Sequence, residues 1–593
     1  MRPSAWLCVV VAACGSPAVQ RAADRPPPIP KLAPLPPPSA FTSGSRIAAT
    51  ADGAFAADED SGTLVALDGR ALAIGRGLGQ LVYDPTAERV YVADRRGDRV
   101  VVVDAETFAI VASYATPAEP FGVALTPDRT TLLATTLADR ALVAFDTKTG
   151  ALKWRTKIAA GTRGIAVSPD GERALLSSVA TGELQLVELT GAHRVAEVPY
   201  SLECESCGAG GAMPRGTGAV RFLDATHVVA TFQRSIPEAL IDLRTDRYGG
   251  GMNPPITQHV AFFTFSATSA NESVAQLADN QPRSLAWDPA RKTLYIAGHG
   301  SDTMIELPKL DVAAPDTIEA HASSAVLRTD GRCGPDGMTI AGDGSVYVWC
   351  AFTRSVLRMS ATDDLGTAEL SQSAQLMTSA FTSEQQRGHI LFDGTTAMVN
   401  RDRALACNTC HVDGHADGLS WRIGKQSLQT PILAGRIAEQ TAPYRWDGSA
   451  PTLADSLAST VHRLAGSGLS TADTAAMIAY LRSLPRPRTP TVNDPAAVAR
   501  GKALFANEAG CASCHSGGSF ADGELHEFES SLSSADTPSL VGLAASAPYY
   551  HDGSASTLHE LLHGAGTVHG MSAELSKLGE TQLADLQAYL ETL

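Results

Sequence analysis

The chain has 593 residues, which is room for two to four domains of ordinary size. Hydrophobic residues make up 44% and charged residues 19%, values that are ordinary for a globular protein with enough apolar side chains for a core. The net charge of −16, with no cluster of Lys and Arg, argues against nucleic acid as a partner and favours a cationic protein or a small molecule.

The N-terminus is predicted to be an export signal. Arg2 is followed by an apolar stretch from Trp6 to Ala12 that is too short to span a bilayer. The segment Val11-Ala12-Ala13-Cys14-Gly15 resembles the lipobox of bacterial lipoproteins, in which cleavage precedes the cysteine and the cysteine is acylated. This resemblance implies a signal peptide over residues 1–13 and a lipid anchor at Cys14. An ordinary secretory peptide is the alternative.

Residues 14–44, rich in Pro and Ala, are predicted to be a tether between the anchor and the folded part. No later stretch of about 18 apolar residues follows, so the sequence offers no second membrane span. We therefore expect the protein on the periplasmic or cell-surface side of a bacterial membrane, held there by its lipid.

The ten cysteines divide into groups by position. Cys8 leaves with the signal peptide and Cys14 is the lipid site. Four others belong to two haem-attachment motifs discussed below. In an oxidising compartment the remaining four are predicted to form two disulfides, Cys204–Cys207 and Cys333–Cys350. A metal site built from those four cysteines is the alternative.

Residues 45–375 repeat a pattern of short apolar strands separated by turns of Asp, Pro or Gly. Seven such turns occur, at Ala51-Asp52-Gly53, Asp84-Pro85, Thr126-Pro127-Asp128, Ser168-Pro169-Asp170, Leu223-Asp224, Trp287-Asp288-Pro289 and Gly342-Asp343-Gly344. Multi-strand units of about 40–50 residues predict a β-propeller, here with seven blades. With Tyr91-Val92-Ala93-Asp94 at its motif position, the region resembles the YVTN-type seven-bladed propellers.

Two arginines of the repeat region are candidate ligand-binding residues. Arg163 and Arg283 lie just before blade strands, where propellers direct side chains toward the central channel. Either they bind a ligand there, or they pair with a blade aspartate. Insertions at residues 200–215 and about 245–280 are long enough to be functional loops.

From about residue 380 the pattern becomes helical, and two segments, 380–485 and 496–593, resemble each other. Each contains a C-x-x-C-H motif, then Ala-Pro-Tyr and Asp-Gly-Ser, and then a closing helix. Residues 485–495 link the two segments. The predicted fold class is therefore an all-β seven-bladed propeller followed by a mainly α pair of cytochrome c modules, with one haem in each module.

In a C-x-x-C-H motif both thiols form thioethers with haem vinyl groups and the adjacent histidine binds the iron. Two copies in an exported chain, in a duplicated context, predict two covalently bound haems c. The haem-binding residues are Cys407, Cys410 and His411 in the first motif and Cys511, Cys514 and His515 in the second. A pair of zinc or disulfide sites is the alternative.

The helical region resembles the bacterial di-haem cytochrome c peroxidase and MauG family. The motifs that carry this resemblance are the two haem motifs, Trp446-Asp447-Gly448, and Ala547-Pro548-Tyr549-Tyr550-His551-Asp552-Gly553. The resemblance implies an N-terminal haem that meets peroxide and a C-terminal haem that passes electrons. It also places Trp446 between the haems, where it couples them. Calcium between the modules is common in the family, but the sequence identifies no ligand set for it.

The chain departs from this family where the distal pocket of the first haem is expected. The family's peroxidases carry a Gln and a Glu after the tryptophan motif, and an ungapped count places Ser456 and Gly466 there. Asp455 is the nearest carboxyl group and the candidate substitute as acid–base catalyst. A displaceable histidine of the family falls near Lys425. The side chains that serve peroxide cleavage in the family are therefore not found at these positions.

The sixth iron ligand of the second haem is also open. The methionine of the family falls at Ala565, with His563, His569 and Met571 close by. We favour His569, because Thr567-Val568-His569 has a counterpart in Thr460-Val461-His462. Met571 is the alternative metal ligand and would set a higher potential. Structural or supporting roles are expected for His415 and His551, and either propionate pairing or surface ion pairs for Arg401 and Arg422.

Three functions are compatible with these features. The first is a peroxidase-like oxidoreductase acting on peroxide or an unknown small substrate. The second is a non-catalytic protein that exchanges electrons with a small electron-transfer protein. The third places recognition in the propeller, with the haems as an electron sink, and predicts a ligand in the channel.

Overall fold

A computed structural model describes residues 42–51, 53–198, 211–216, 218–239, 255–265, 270–277, 279–312, 323–327, 329, 331–361, 368–437, 441–527, 531–564 and 572–593. The predicted signal peptide, the lipid site at Cys14 and most of the tether lie outside these ranges. Within them, no helix is long and apolar enough to cross a bilayer.

Seven antiparallel sheets form the blades of a β-propeller, which confirms the predicted fold. The short strand β1 (Thr42–Ser43) precedes the first blade. Blade 1 comprises β2–β5 (Ile47–Ala49, Ala54–Asp58, Thr63–Ala66 and Ala71–Ala73), and blade 2 comprises β6–β9 (Leu78–Asp84, Arg89–Asp94, Arg99–Asp104 and Ala109–Ala115). Blade 3 comprises β10–β13 (Pro120–Leu125, Thr131–Thr136, Ala141–Asp146 and Leu152–Lys157), and blade 4 comprises β14–β17 (Thr162–Val167, Arg173–Ser178, Leu184–Glu188 and Val195–Val198). The last three comprise β18–β22 (Met213–Arg215, Val220–Phe222, His227–Ser235, Ile256–Phe265 and Ala270–Leu277), β23–β26 (Pro282–Asp288, Thr293–Gly298, Thr303–Leu307 and Ser323–Val326) and β27–β30 (Pro335–Ile340, Val346–Cys350, Ser355–Met359 and Leu370–Gln372).

Inner strands of the blades are apolar on both faces because a neighbouring blade covers each face. In β7, Val90 and Val92 pack against blade 1, whereas Tyr91 and Ala93 pack against blade 3. The turns between strands are stabilised locally by aspartates. Asp84, for example, accepts the backbone N–H of Thr86 at 2.9 Å. Apolar strands separated by Asx turns thus produce the repeat that the sequence displays.

Residues 42–46, which we call the channel segment, cross the central channel of the propeller. Thr42 of β1 pairs with Val167 at the far end of β14 in blade 4. Ser45 exchanges backbone hydrogen bonds with Leu81 of blade 2, and the chain then enters blade 1. A Cβ atom at Gly44 would lie 2.3 Å from the carbonyl oxygen of Val123 in blade 3. The last residues of the predicted tether are therefore part of the propeller.

Blade 7 contains a disulfide between Cys333 and Cys350, which confirms that predicted pair. It joins the segment before β27 to the end of β28 within one hairpin. The other predicted pair, Cys204–Cys207, lies outside the described residues.

Two helical modules follow the propeller. Residues 383–484 are the first module and residues 495–593 the second. Their helices are α1 (Ser383–Asp393), α2 (Cys407–Cys410), α3 (Leu453–Arg463), α4 (Thr471–Ser483), α5 (Pro495–Ala506), α6 (Leu558–Gly564), α7 (Ser572–Leu575) and α8 (Glu580–Leu590). Short 3-10 turns occur at Val412–Gly414, Cys511–Ser513 and Leu543–Ala545, and the hairpins are β31–β32 (Ser420–Ile423 and Gln426–Gln429) and β33–β34 (Leu525–Glu527 and Ser534–Asp536).

The Ala-Pro-Tyr loops of the modules have the same conformation. Tyr444 forms a backbone bridge with Ala450, and Tyr549 forms the corresponding bridge with Ala555. The residues after the two tyrosines, Arg445 and Tyr550, both adopt positive φ angles, of 76° and 67°. The duplication seen in the sequence is thus also a duplication of backbone structure.

The first and last long helices of each module cross at a glycine. A Cβ at Gly388 of α1 would lie 2.0 Å from the carbonyl oxygen of Ala476 in α4. A Cβ at Gly501 of α5 would lie 1.9 Å from that of Asp585 in α8. The residue before each glycine forms an ion pair across the same crossing, Arg387 with Asp473 and Arg500 with Asp585.

We expect Gly388→Ala to lower the free energy of unfolding by about 1–3 kcal/mol, because the added methyl group meets backbone that cannot move aside. Denaturant unfolding followed by circular dichroism measures the change. Gly518→Ala is the control, because a Cβ at that position meets nothing within 4 Å. Equal stability of Gly388→Ala and wild type would contradict the close crossing.

Candidate functional site

The first C-x-x-C-H motif forms the short helix α2 and the residue that follows it. The ring Nδ1 of His411 lies 3.1 Å from the carbonyl oxygen of Pro431. A carbonyl oxygen only accepts, so Nδ1 carries the proton and Nε2 keeps the lone pair that an iron ligand needs. Burial lowers the pKa of His411 to about 4, which keeps the imidazole neutral.

The second motif is arranged in the same way. The Nδ1 of His515 lies 3.0 Å from the carbonyl oxygen of Phe520. Burial lowers the pKa of His515, although the carbonyl groups of Phe520 and Pro538 act in the opposite direction. Pro431 and Pro538 stand in a Thr-Pro-x-Leu sequence in each module, a repeated signal that our sequence reasoning missed.

The four motif cysteines, Cys407, Cys410, Cys511 and Cys514, are half-buried and form no disulfide. Burial raises the pKa of Cys407 to about 12 and that of Cys511 to about 11. The two thiols of each motif are thus free for attachment to haem vinyl groups, and the disulfide alternative is not observed.

Trp446 lies between the two modules. Its indole N–H donates to the carbonyl oxygen of Gln429 at 2.9 Å, within the first module. Its own carbonyl accepts the N–H of Asp536 in the second module at 2.9 Å. The indole ring also meets the ring of His551 edge-on, with centroids 6.5 Å apart. The structure therefore places Trp446 where contacts from both modules converge.

The candidate distal residues of the first module do not form a pocket of acid–base groups. Asp455 accepts from Thr452 at the start of α3, through the hydroxyl at 2.5 Å and the backbone N–H at 3.1 Å, as a capping box does. A Cβ at Gly466 would lie 2.3 Å from the carbonyl oxygen of Met398. Ser456 is half-buried in α3, and Lys425 is exposed at the tip of hairpin β31–β32.

One candidate sixth ligand of the second module is already engaged. His563 has its Nδ1 2.8 Å from the carbonyl oxygen of His559 and its Nε2 3.0 Å from the carboxylate of Glu580. His569 and Met571, together with Ala565, lie outside the described residues, so they stay predictions.

The supporting residues predicted from the sequence have local partners. His415 faces the carbonyl oxygen of Asp413 at 3.2 Å, and His551, which is 1% exposed, faces the hydroxyl of Ser531 at 3.0 Å. Arg401 lies 3.7 Å from Asp402 on the surface. Arg422 is exposed on β31.

The two candidate arginines of the propeller bind the first module. Arg163, in β14, donates to the carboxylate of Asp413, two residues after His411. Arg283, in β23, donates to the other oxygen of the same carboxylate at 3.0 Å. Arg283 also lies 3.9 Å from Asp336 of blade 7. The arginines therefore do point into the channel, and their main partner is Asp413 of the first module rather than a blade aspartate.

These groups belong to a larger set of buried charges, the channel cluster, which consists of Arg46, Arg95, Arg163, Arg283, Glu59, Glu119, Asp336 and Asp413. The ring of Phe121 lies beneath three of the guanidinium groups, at 4.9–5.3 Å. Burial alone would raise the pKa of Asp413, but Arg163 and Arg283 hold it well below its usual range. The cavity left in the channel is only about 60 Å³, room for a few water molecules.

A second buried set, the His389 cluster, also joins the propeller to the first module; it consists of Asp58, Asp60, His299, Arg354, His389 and Asp393. Asp393 of α1 lies 3.0 Å from His299 of the propeller and 3.2 Å from His389. It also accepts from Asn408, inside the first motif. The ring of His389 stacks on Tyr480 of α4 at 4.8 Å. No periodic pattern of residues predicts this cluster.

The members of the His389 cluster shift one another's pKa values. Burial raises the pKa of Asp60 to about 7, despite the nearby His389. Burial alone would lower the pKa of His389, but Asp60 and Asp393 raise it to about 9. Burial alone would raise the pKa of Asp393, but His389 and His299 hold it well below its usual range.

Comparison with known proteins identifies the C-terminal part of the chain. A family model for cytochrome c matches residues 498–593. Residues 498–593 form a cytochrome c domain. The chain is also 26% identical over 262 residues to the methylamine utilization protein MauG of Methylorubrum extorquens, which covers 33% of this chain and 74% of that protein.

Solved structures with a similar shape include a MauG-like protein associated with microbial copper homeostasis, at 18% identity and a TM-score of 0.30, covering 36% of this chain and 90% of that one. Another is the hydrazine synthase of Kuenenia stuttgartiensis, at 17% identity and a TM-score of 0.32, covering 48% of this chain and 95% of that one. With its cytochrome c domain and its homology to MauG, this propeller-containing cytochrome is a haem-containing redox protein.

We expect the cytochrome to lose stability as the pH rises. The folded-state pKa of His389, about 9, exceeds its unfolded value of about 6.5, so its contribution is complete below pH 6.5 and is lost as the pH approaches 9. Asp60, with its pKa raised to about 7, adds a loss of the same sign between about pH 4 and 7.

Unfolding by urea at a series of pH values measures how the free energy of unfolding changes with pH. His389→Gln should flatten the pH dependence of the free energy of unfolding between about pH 6.5 and 9. A slope that His389→Gln does not alter would contradict the assignment.

Proposed function

We propose that the protein is an exported oxidoreductase with two covalently bound haems c. Cys407, Cys410 and His411 would hold the first, and Cys511, Cys514 and His515 the second. The observation that carries this proposal is that both motif histidines direct Nδ1 to a backbone carbonyl, which leaves Nε2 for iron. When bound, haem iron supplies one-electron oxidation and reduction.

In this proposal substrate or peroxide chemistry belongs to the first haem and electron exchange to the second. Trp446 would couple the two sites, since its indole contacts His551 of the second module and is held by Gln429 of the first. His569 is the proposed sixth ligand of the second haem, with Met571 as the alternative. Calcium between the modules is a further expectation from the family resemblance.

One observation favours the alternative, a non-catalytic electron-transfer protein. The carboxylate of Asp455 is used in capping α3, and Gly466 stands against the backbone where the peroxidases carry an acidic side chain. If no other group moves protons at the first haem, peroxide cleavage would be slow. Asp455 acts as a catalyst only if the start of α3 rearranges.

The proposed location is outside the cytoplasm, with a lipid at Cys14 holding the protein to a bacterial membrane. The proposed electron partner is a small electron-transfer protein, and the net charge of −16 favours a cationic one. A salt-dependent association rate would support such a partner.

The test of the enzyme proposal is peroxide-dependent oxidation of a reduced donor by the half-reduced protein, with the haem spectrum followed during turnover. We expect turnover and a high-spin first haem, and Asp455→Asn should lower the rate at least about tenfold if Asp455 is the acid–base group. Two low-spin haems without turnover would instead establish the electron-transfer alternative.

We expect Trp446→Phe to slow electron equilibration between the haems and to cost about 1 kcal/mol of stability through the lost hydrogen bond to Gln429. Flash-induced electron transfer in the half-reduced protein measures the first effect. Trp421→Phe is the matched control, because that indole donates to Asp417 inside the first module, at 2.8 Å. Equal slowing in both variants would argue against a coupling role for Trp446.

A further inference from the structure

The two modules differ in the residues that link the first motif to the propeller. Both modules contain an Arg-Gly-x-x-Leu-Phe helix followed by C-x-x-C-H, so their positions can be matched one by one. The four linking residues of the first module match residues of different chemistry in the second: His389 matches Lys502, Asp393 matches Ala506, Asn408 matches Ala512, and Asp413 matches Gly517. The link from the haem motif to the propeller through these four residues is therefore a property of the first module.

These residues hold both ends of the first motif. At one end, the carboxylate of Asp413 accepts from Arg163 and Arg283 of the propeller. At the other, Asn408 donates to Asp393, which His299 of the propeller contacts at 3.0 Å.

Asn408 also connects the two ends. Its side-chain oxygen accepts the backbone N–H of Asp413 at 2.9 Å. Asn408 is 1% exposed. The loop that carries His411 is thus fixed by a continuous chain of hydrogen bonds that begins and ends on the propeller.

We propose that the propeller is a clamp on the first haem motif, and that the ion pairs of Asp413 with Arg163 and Arg283 set the reduction potential of the iron bound at His411. This inference rests on the proposed function in requiring a haem at the first motif. The three residues act as positioning residues, since they hold the loop that carries His411.

The physical basis is the local balance of charge. The carboxylate and its guanidinium partners are largely withdrawn from water, with side-chain exposures of 22% for Asp413, 10% for Arg163 and 14% for Arg283. Charges in such surroundings act on each other more strongly than in water. Loss of a guanidinium leaves excess negative charge beside the motif, which favours ferric iron. Loss of the carboxylate leaves excess positive charge, which favours ferrous iron.

The test is a spectroscopic redox titration of the full-length protein with haem. Arg163→Gln should lower the potential of the first haem, and Asp413→Asn should raise it. Each is expected to change the ratio of oxidised to reduced first haem about tenfold at a fixed applied potential, which is about 59 mV for a one-electron couple. The potential of the second haem, which lacks the clamp, should not change.

Two further variants separate charge from folding. Arg163→Lys keeps the positive charge and should restore most of the wild-type potential. Arg173→Gln removes an arginine of the same blade that lies outside the channel lining, where it pairs with Asp170 and donates to the carbonyl oxygen of Ala225, and should leave both potentials unchanged. A merely structural role predicts shifts of the same sign in Arg163→Gln and Asp413→Asn. Shifts of the same sign, or no shift in either, would overturn the clamp.

The count of haems distinguishes this inference from the proposed function. Mass spectrometry of the wild type and of Cys407→Ala/Cys410→Ala assigns each haem to its motif. If the wild type carries haem only at the second motif, the two-haem function is wrong and the clamp falls with it. If both haems are present but the potentials do not respond as described, the function stands and the clamp alone is rejected.

Discussion

Four guanidinium groups inside one channel are the constraint on which the rest of this protein depends. Arg46, Arg95, Arg163 and Arg283 are largely removed from water, and a buried cation without a partner is costly. The propeller supplies three carboxylates, and the fourth, Asp413, comes from the first module. Breaking such a pair typically costs about 3–5 kcal/mol. The propeller and the first module are therefore electrostatically one unit, although the sequence presents them as two domains.

This dependence makes the two haem motifs unequal. The second motif sits in a module that packs around its own apolar core, with Phe505, Leu586 and Tyr589 at its centre. The first motif is held from outside, through Asp413 and Asn408. A duplicated module thus acquired two environments by changing a few polar residues while it kept its glycine-centred helix crossing. That division is consistent with the proposed function, in which the two motifs would have different tasks.

The sequence predicts those features that depend on neighbours in the chain. Asp-Pro and Asp-Gly turns mark the blades because each turn is stabilised within a few residues, and the haem motifs are equally local. The partner of Arg163 could not be predicted, because Asp413 is 250 residues away and no spacing rule joins them. The role of Asp455, by contrast, is readable from neighbouring residues. Thr-x-x-Asp before an apolar helix is a capping signal, so the sequence indicates a structural role for Asp455 as well as a catalytic one. The two-residue strand β1 is too short to leave any periodic pattern.

The channel segment also determines how the ring of blades is closed. Blades 1 and 7 are each formed from one stretch of chain, and they meet through side chains such as Ile47 and Trp349 without sharing a sheet. This seam of the ring is also bridged by the ion pairs of Arg354 of blade 7 with Asp58 and Asp60 of blade 1. Thr42 is paired with blade 4 and Ser45 is hydrogen-bonded to blade 2. The channel segment thereby connects the seam between blades 1 and 7 to blade 4 on the opposite side of the channel. A shortened gene that lacks residues 42–46 would keep every blade intact and still lose this backbone connection across the channel.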